Sequence, residues 1–160
     1  MEAVFDLGGM DLLRSDLERF RKAIPMVLEG AVIEIGLFIE REAKLVLTRK
    51  GGVDTGRLRA SIGHGEGPGA GDGVWWEEFE RSVFTVWVGT NVEYAPYMEY
   101  GFTMSEGRTV FIKNVGFRYV HPFSFRGYHY MEEAAESAQR MATKVVERRV
   151  DRALRDARLA

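Results

Sequence analysis

Val86-Trp87-Val88-Gly89-Thr90-Asn91-Val92-Glu93-Tyr94-Ala95-Pro96-Tyr97-Met98-Glu99-Tyr100-Gly101 is the stretch on which the fold turns. It begins as a strand. Phe84, Val86 and Val88 alternate with Thr85 and Trp87, the period-two spacing of β-branched and aromatic residues. Gly89-Thr90-Asn91 has the composition of a turn. The residues after it predict one tight helical turn. Pro96 falls at an early position that tolerates its missing N–H, and Gly101 falls where a left-handed stop is needed. Tyr94, Tyr97 and Tyr100 recur every third residue, so they lie along one side of such a turn. Two uses are open to them. They pack as an aromatic corner on the domain's own core, or they form a contact surface, because tyrosines with one wet end are favoured at interfaces.

Around this stretch, the 160-residue chain is long enough for a single domain, 1–160, with a substantial core. Its 46% hydrophobic and 29% charged residues are ordinary for a globular protein. The formal net charge of −2 argues against a dedicated nucleic-acid binder, which carries a basic balance or a basic face. The absence of cysteine excludes disulfides, thiolate catalysis and cysteine-based zinc sites, and fits manufacture in a cytoplasm. No apolar run approaches the roughly 20 residues of a membrane span. Glu2 and Asp6 stand where a signal peptide would be basic. Residues 1–10 are expected to be a loose leader.

From Asp11 a helical pattern runs through Leu13, Leu17, Phe20, Ile24, Val27, Ala31, Ile35, Phe38, Glu42 and Leu45, all apolar except Glu42. Pro25 interrupts it, and a proline removes a helix hydrogen bond and clashes one turn back. A kink or break near Ala23-Ile24 is therefore expected, with a second helix over about 26–49. Arg49 and Lys50 followed by Gly51-Gly52 close that helix.

Asp54-Thr55-Gly56 then reads as a turn, and Arg57-Leu58-Arg59-Ala60-Ser61-Ile62 as a strand with Leu58, Ala60 and Ile62 on its apolar face. Arg57 and Arg59 are either phosphate or ion-pair contacts or a solvated strand face. Residues 63–73 alternate glycine with other residues and predict a flexible surface loop carrying His64. No Lys-Ser/Thr pair follows them, so they are not a phosphate loop. Val74–Phe79 and Val83–Val88 predict a hairpin, as do Thr109–Lys113 and Phe117–Val120 around Asn114-Val115-Gly116. Pro122 stops the second hairpin.

The last helix carries an apolar stripe through Met131, Ala134, Ala135, Ala138, Met141, Ala142, Val145, Val146, Val150, Ala153, Leu154 and Ala157. Glutamates open it and Arg148, Arg149, Arg152, Arg155 and Arg158 close it, an order that suits the helix dipole. This basic end is either a solvated helix end, diluted by Asp151 and Asp156, or a contact for an acidic partner or nucleic acid.

Catalytic constellations do not emerge. His64, His121 and His129 lack metal-ligand spacing, and no nucleophile elbow or Walker motif occurs. Asp54-Thr55-Gly56 is a single copy of a tripeptide whose acid chemistry needs two carboxylates sharing a proton. Glu77, Glu78 and Glu99 have no evident partner across a cleft. An enzyme is not expected, and neither a metal nor a cofactor is called for.

Three segments occur in a telling order: Val-Asp-Thr-Gly-Arg-Leu-Arg-Ala-Ser-Ile at 53–62, Val-Gly-Thr-Asn-Val-Glu-Tyr-Ala-Pro-Tyr-Met-Glu-Tyr-Gly at 88–101, and His-Pro-Phe at 121–123. Flanked by an N-terminal and a C-terminal helix, this order resembles the tail-completion or head–tail connector proteins of long-tailed bacteriophages, also carried by related prophages and gene-transfer particles. The resemblance covers roughly 10–158. The chain departs from the family at the long glycine-rich loop, at Phe102 where threonine is usual, and at His121-Pro122-Phe123-Ser124-Phe125-Arg126 in place of a proline-phenylalanine-leucine-arginine run.

The resemblance implies an α+β domain in which an antiparallel sheet of about four strands packs on the long N-terminal helix and the C-terminal helix. It implies a homo-oligomeric ring, expected to be a hexamer, in the virion neck. DNA passes through the ring without sequence-specific binding, and the other partners are neck and tail-tube proteins. Assembly occurs in the host cytoplasm, without a cofactor and away from membranes. Subunit or neck-partner contacts are expected at Asp54, Thr55, Gly56, Arg57, Arg59, Asn91, Tyr94, Tyr97, Glu99, Tyr100 and Gly101. The alternative is a nucleic-acid-binding module using Arg57, Arg59 and the arginines from Arg148 onward.

Overall fold

The computed structural model describes residues 8–63, 73–80 and 83–158. Most of the expected leader, the glycine-rich segment 64–72 and the hairpin tip 81–82 lie outside the described residues. The chain is mixed helix and sheet. A long helix α1 (Gly8–Arg49) is followed by a short helix α2 (Arg57–Ser61), a hairpin β1 (Gly73–Glu80) and β2 (Val83–Thr90), and a short helix α3 (Ala95–Tyr100). Then come β3 (Phe102–Met104), β4 (Arg108–Ile112), β5 (Gly116–Val120), β6 (Phe123–Phe125) and the helix α4 (Tyr130–Asp156).

Pro25 does not break α1, which is continuous for 42 residues, about 63 Å at the α-helical rise. The helix carries on because α1 packs along α4 past the proline: half-buried Ala23 and Val27 line a cleft with Ala153 and Ala157 of α4, and Ala31 is fully buried beyond it. Pro25 itself is exposed, so the ring points away from that contact. Helix–helix burial outweighs one lost hydrogen bond.

The buried face of α1 also departs from the expected stripe. It runs through Ala31, Ala43, Val46 and Leu47, with Ile39 packed beside them, while Leu45 is exposed. A pattern with a 3.5-residue period drifts around a straight helix by about 20° per heptad. The face that meets α4 has therefore moved by the end of the helix.

α4 lies antiparallel to α1. Arg49 and Lys50 at the end of α1 bond Glu133 near the start of α4. Glu34, fifteen residues back along α1, takes Arg148 and Arg149 from the far half of α4. Small residues line this contact: Ala31 and Ala43 on one helix, Ala134, Ala138, Ala153 and Ala157 on the other. They let the two backbones approach closely. Tyr130, Leu58, Ile62, Val92 and Ala95 complete the core at the end where α1 finishes.

Arg57–Ile62 was expected to be a strand, and it is a helical turn instead. Gly56, at φ +79°, turns the chain, and Leu58, Ser61 and Ile62 go inward while Ala60 stays exposed. That i, i+3, i+4 spacing is the one face of a helical turn. Ser61 Oγ returns a hydrogen bond to Leu58 O at 2.7 Å, which suits a helical turn.

The strands pair two by two in antiparallel ribbons, β1–β2, β3–β6 and β4–β5, where one sheet of about four strands was expected. Both predicted hairpins form, with Trp76 opposite Trp87 and Phe111 opposite Phe117. The short β3–β6 pair joins Phe102 to Phe125 and closes the loop that carries β4 and β5.

Candidate functional site

The segments singled out by sequence meet at the end of the helix pair where α1 terminates. Ser61 Oγ is 2.6 Å from Thr90 Oγ1, and Gly63 N–H donates to Gly89 O at 3.2 Å. Thr90 Oγ1 also accepts from Val92 N–H at 3.2 Å, which stops β2 and starts the turn into α3. The Asp54-Thr55-Gly56-Arg57 loop thereby comes beside Tyr94 and Met98, around an open cleft of about 520 Å³.

α3 is the expected turn, with Pro96 near its start and Gly101 at its end. Gly101 has φ +82° and ψ −177°, a region essentially reserved for glycine and not the left-handed helical cap anticipated. Space explains it as well as dihedral angle: a Cβ here would lie 2.1 Å from Phe125 O. Gly127 meets the same limit from the other side, 2.2 Å from Glu99 O. Two backbones cross in contact, and Tyr128 N–H to Met98 O at 2.7 Å and His129 N–H to Glu99 O at 3.0 Å tie them together.

Of the residues expected at a contact, Asp54, Thr55, Arg57, Arg59, Asn91, Tyr94, Tyr97 and Tyr100 are exposed, and Gly56 and Gly101 are half-buried. The three tyrosines do not form a core corner; Tyr100 is 74% exposed. Tyr97 meets Phe102 edge-on, and Phe102 in turn meets Phe123, so the aromatic edge continues onto the β3–β6 ribbon.

Glu99 turns inward and is only 5% exposed. Its carboxylate accepts Met131 N–H and Glu132 N–H, both at 3.0 Å. These are unsatisfied donors of the first turn of α4, and an anion there also meets the positive end of the helix dipole. Glu99 thus works inside the chain as the cap of α4, a role its sequence position could not reveal because its partners lie thirty-two residues on. The one visible signal was an acid flanked by Met98 and Tyr100 in an otherwise apolar turn.

His129 sits beside this cap in a left-handed conformation, φ +49°. Its Nδ1 is 2.9 Å from Glu132 Oε2 and its Nε2 is 3.2 Å from Arg126 O. Glu99, His129 and Glu132 bring ligand-type atoms within 4.8 Å of one another. Each of these side chains is engaged by a hydrogen bond within the chain, and together they fasten α3 to α4. Tyr130, next along, is almost wholly buried. Burial first, and the nearby Glu99, push its hydroxyl up to about 12.

A second exposed aromatic surface lies on the hairpin β4–β5. Phe111 and Phe117 stack edge-on across the ribbon, yet Phe117 is 72% exposed. Ile112, Val115 and Tyr119 are exposed with them. An isolated two-stranded hairpin is marginal in water, and exposed apolar patches of this kind mark surfaces that another molecule covers.

The basic residues are not brought into one face. Arg57 and Arg59 sit beyond the end of α1, while Arg148 and Arg149 bond Glu34 about 22 Å back along it. Partial burial pushes the Glu34 carboxyl up, but hydrogen bonds and charge from the two arginines outweigh it and hold it below the ordinary range. No helix among the described residues is long and apolar enough to cross a membrane.

The chain was compared with protein-family models, with curated proteins and with solved structures, and nothing matches it.

Proposed function

We propose that this chain is a structural protein of the bacteriophage neck, a tail-completion or head–tail connector subunit that assembles into a ring between the DNA-filled head and the tail. The observation that carries the proposal is a surface that a solitary protein would not keep. Tyr94, Tyr97 and Tyr100 at α3 with Phe102 and Phe123 beside them form one exposed aromatic surface, and Phe111 and Phe117 on the β4–β5 hairpin form a second. The three tyrosines and Phe123 lie within the segments on which the family resemblance rests, and Phe102 adjoins one of them. A ring built from one chain needs two different faces that fit each other around a closed circle, and aromatic residues are enriched in such contacts.

Under this proposal the sheet of about four strands is completed between subunits, a ribbon of one copy adding to a ribbon of the next. The ring, a hexamer, then meets neck and tail-tube proteins in the virion, and DNA passes through its channel without being read. Neither a cofactor nor catalysis enters.

The test is particle assembly without this chain. Filled heads and finished tails accumulate unjoined in electron micrographs, and adding the protein back joins them. Normal numbers of joined particles in its absence would overturn the proposal.

A further inference from the structure

We infer that the N-terminal part of α1 pairs, parallel and in register, with the same segment of a second copy of this chain. Met10, Leu13, Leu17, Phe20, Ile24 and Val27 follow one another at alternating steps of three and four residues. That is the 3.5-residue period of a coiled-coil seam. Farther along, the seam is used inside the chain: Ala31 is buried at the α4 contact, and Val27 lies beside Ala153 and Ala157. α4 ends at Asp156, and the seam continues past it uncovered among the described residues. Met10 is 66% exposed and Leu17 51%.

The uncovered segment thus prolongs an interface already made. Before Val27 the seam positions are not among the buried residues of the chain's own core, whose later face follows Ile39, Ala43 and Leu47 at four-residue steps. A period of 3.5 stays in contact only with a helix that supercoils around it.

The flanking charges choose the occupant and its direction. Arg14 and Arg21 lie on one flank of the seam and Asp16 on the other. In a parallel pair, Asp16 of each copy faces Arg21 of the other, twice by symmetry. In an antiparallel pair, the Arg14–Arg21 flanks face each other and repel. Asp16 already accepts a 3.0 Å bond from Arg19, and a carboxylate has capacity for a second donor. The helix is held in shape by α4 further along, so little ordering cost falls on pairing. The seam is short, which makes the contact concentration-dependent. It stands apart from the ring proposal, since a simple dimer satisfies it too.

The chain has no cysteine, so single introduced cysteines report the contact without background. A disulfide forms only when Cβ atoms approach to about 4 Å. Met10→Cys and Leu17→Cys, each in the full chain under mild oxidation, crosslink to their own kind several-fold more than Ser15→Cys on the opposite face. Arg21→Glu in the Leu17→Cys background lowers the yield, and adding Asp16→Arg restores it. No excess over Ser15→Cys overturns the inference. Crosslinking at only one of the two seam positions, as an antiparallel pair gives, overturns it too, as does failure of the charge swap to rescue. Circular dichroism of each variant confirms that α1 is intact. Ring-sized particles without a seam crosslink would sink this inference alone. A crosslinked dimer with no larger species would support it and count against the ring.

Discussion

Glu99 and its neighbours Tyr97 and Tyr100 occupy one helical turn and do opposite jobs. Glu99→Ala leaves two first-turn N–H groups of α4 without their charged acceptor, at a position where the carboxylate is almost wholly buried. Hydrogen bonds to charged groups contribute about 1.5–3 kcal/mol each, so a loss of about 3 kcal/mol in urea unfolding is expected. Glu99→Gln keeps one acceptor and turns an amide N–H₂ toward a backbone donor, so it rescues only in part. Tyr97→Ser, on the exposed edge, changes stability by less than about 0.5 kcal/mol, the usual range for a surface site, while lowering self-association. An unfolded Tyr97→Ser protein would return the tyrosines to the core. The turn itself was legible in the sequence because its chemistry is local: Pro96 and Gly101 mark its ends. The inward aim of Glu99 was not, because what it binds is set by tertiary structure.

At the scale of elements, α1 and α4 are joined by two carboxylates whose titration links stability to pH. Hydrogen bonding by Lys50, against a smaller opposing effect of burial, holds Glu133 below the ordinary range. Glu34 is held down by Arg148 and Arg149 despite its burial. A carboxyl with a lowered folded pKa binds fewer protons folded than unfolded. Its contribution is therefore full above the unfolded value of about 4.3 and is lost as pH falls through the lowered folded value. Tyr130 acts at the other extreme. Its raised pKa keeps its contribution whole below the unfolded value of about 10 and removes it as pH rises through about 12. Thermal melts across acid pH show the midpoint falling, and Glu34→Gln flattens that fall; an identical slope in the variant would refute the link. The hairpin β4–β5 makes a separate prediction. Serine at both Phe111 and Phe117 leaves the melting of the helix pair unchanged and reduces association. Loss of the helical fold would instead make the hairpin part of the core.

Elements were readable from sequence where length or turn chemistry left one choice. α4 and both hairpins are such cases. Arg57–Ile62 was not, since six residues satisfy an alternating strand and a single helical turn equally, and only Ser61 Oγ on Leu58 O and on Thr90 decides between them. Pro25 misled for a related reason: the proline acts locally, whereas the residues that override it belong to a helix more than a hundred positions away.

At the scale of the whole molecule, the helix pair carries much of the core, completed by Leu58, Ile62, Val92 and Ala95, and the β3–β6 and β4–β5 ribbons present exposed aromatic side chains. The tertiary hydrogen bonds around α3, α4 and Thr90 fix one end of that pair, and the aromatic side chains at that end face outward. The central claim is that those side chains are covered by other copies of the chain. Light scattering of the purified protein over a wide concentration range, with the Tyr97→Ser and Phe111→Ser/Phe117→Ser proteins alongside, tests it most directly. The account predicts a discrete ring-sized mass that grows in with concentration, and its loss in both variants while their folds persist. A wild-type protein that remains a monomer throughout, or variants that assemble as well as it does, would contradict the claim.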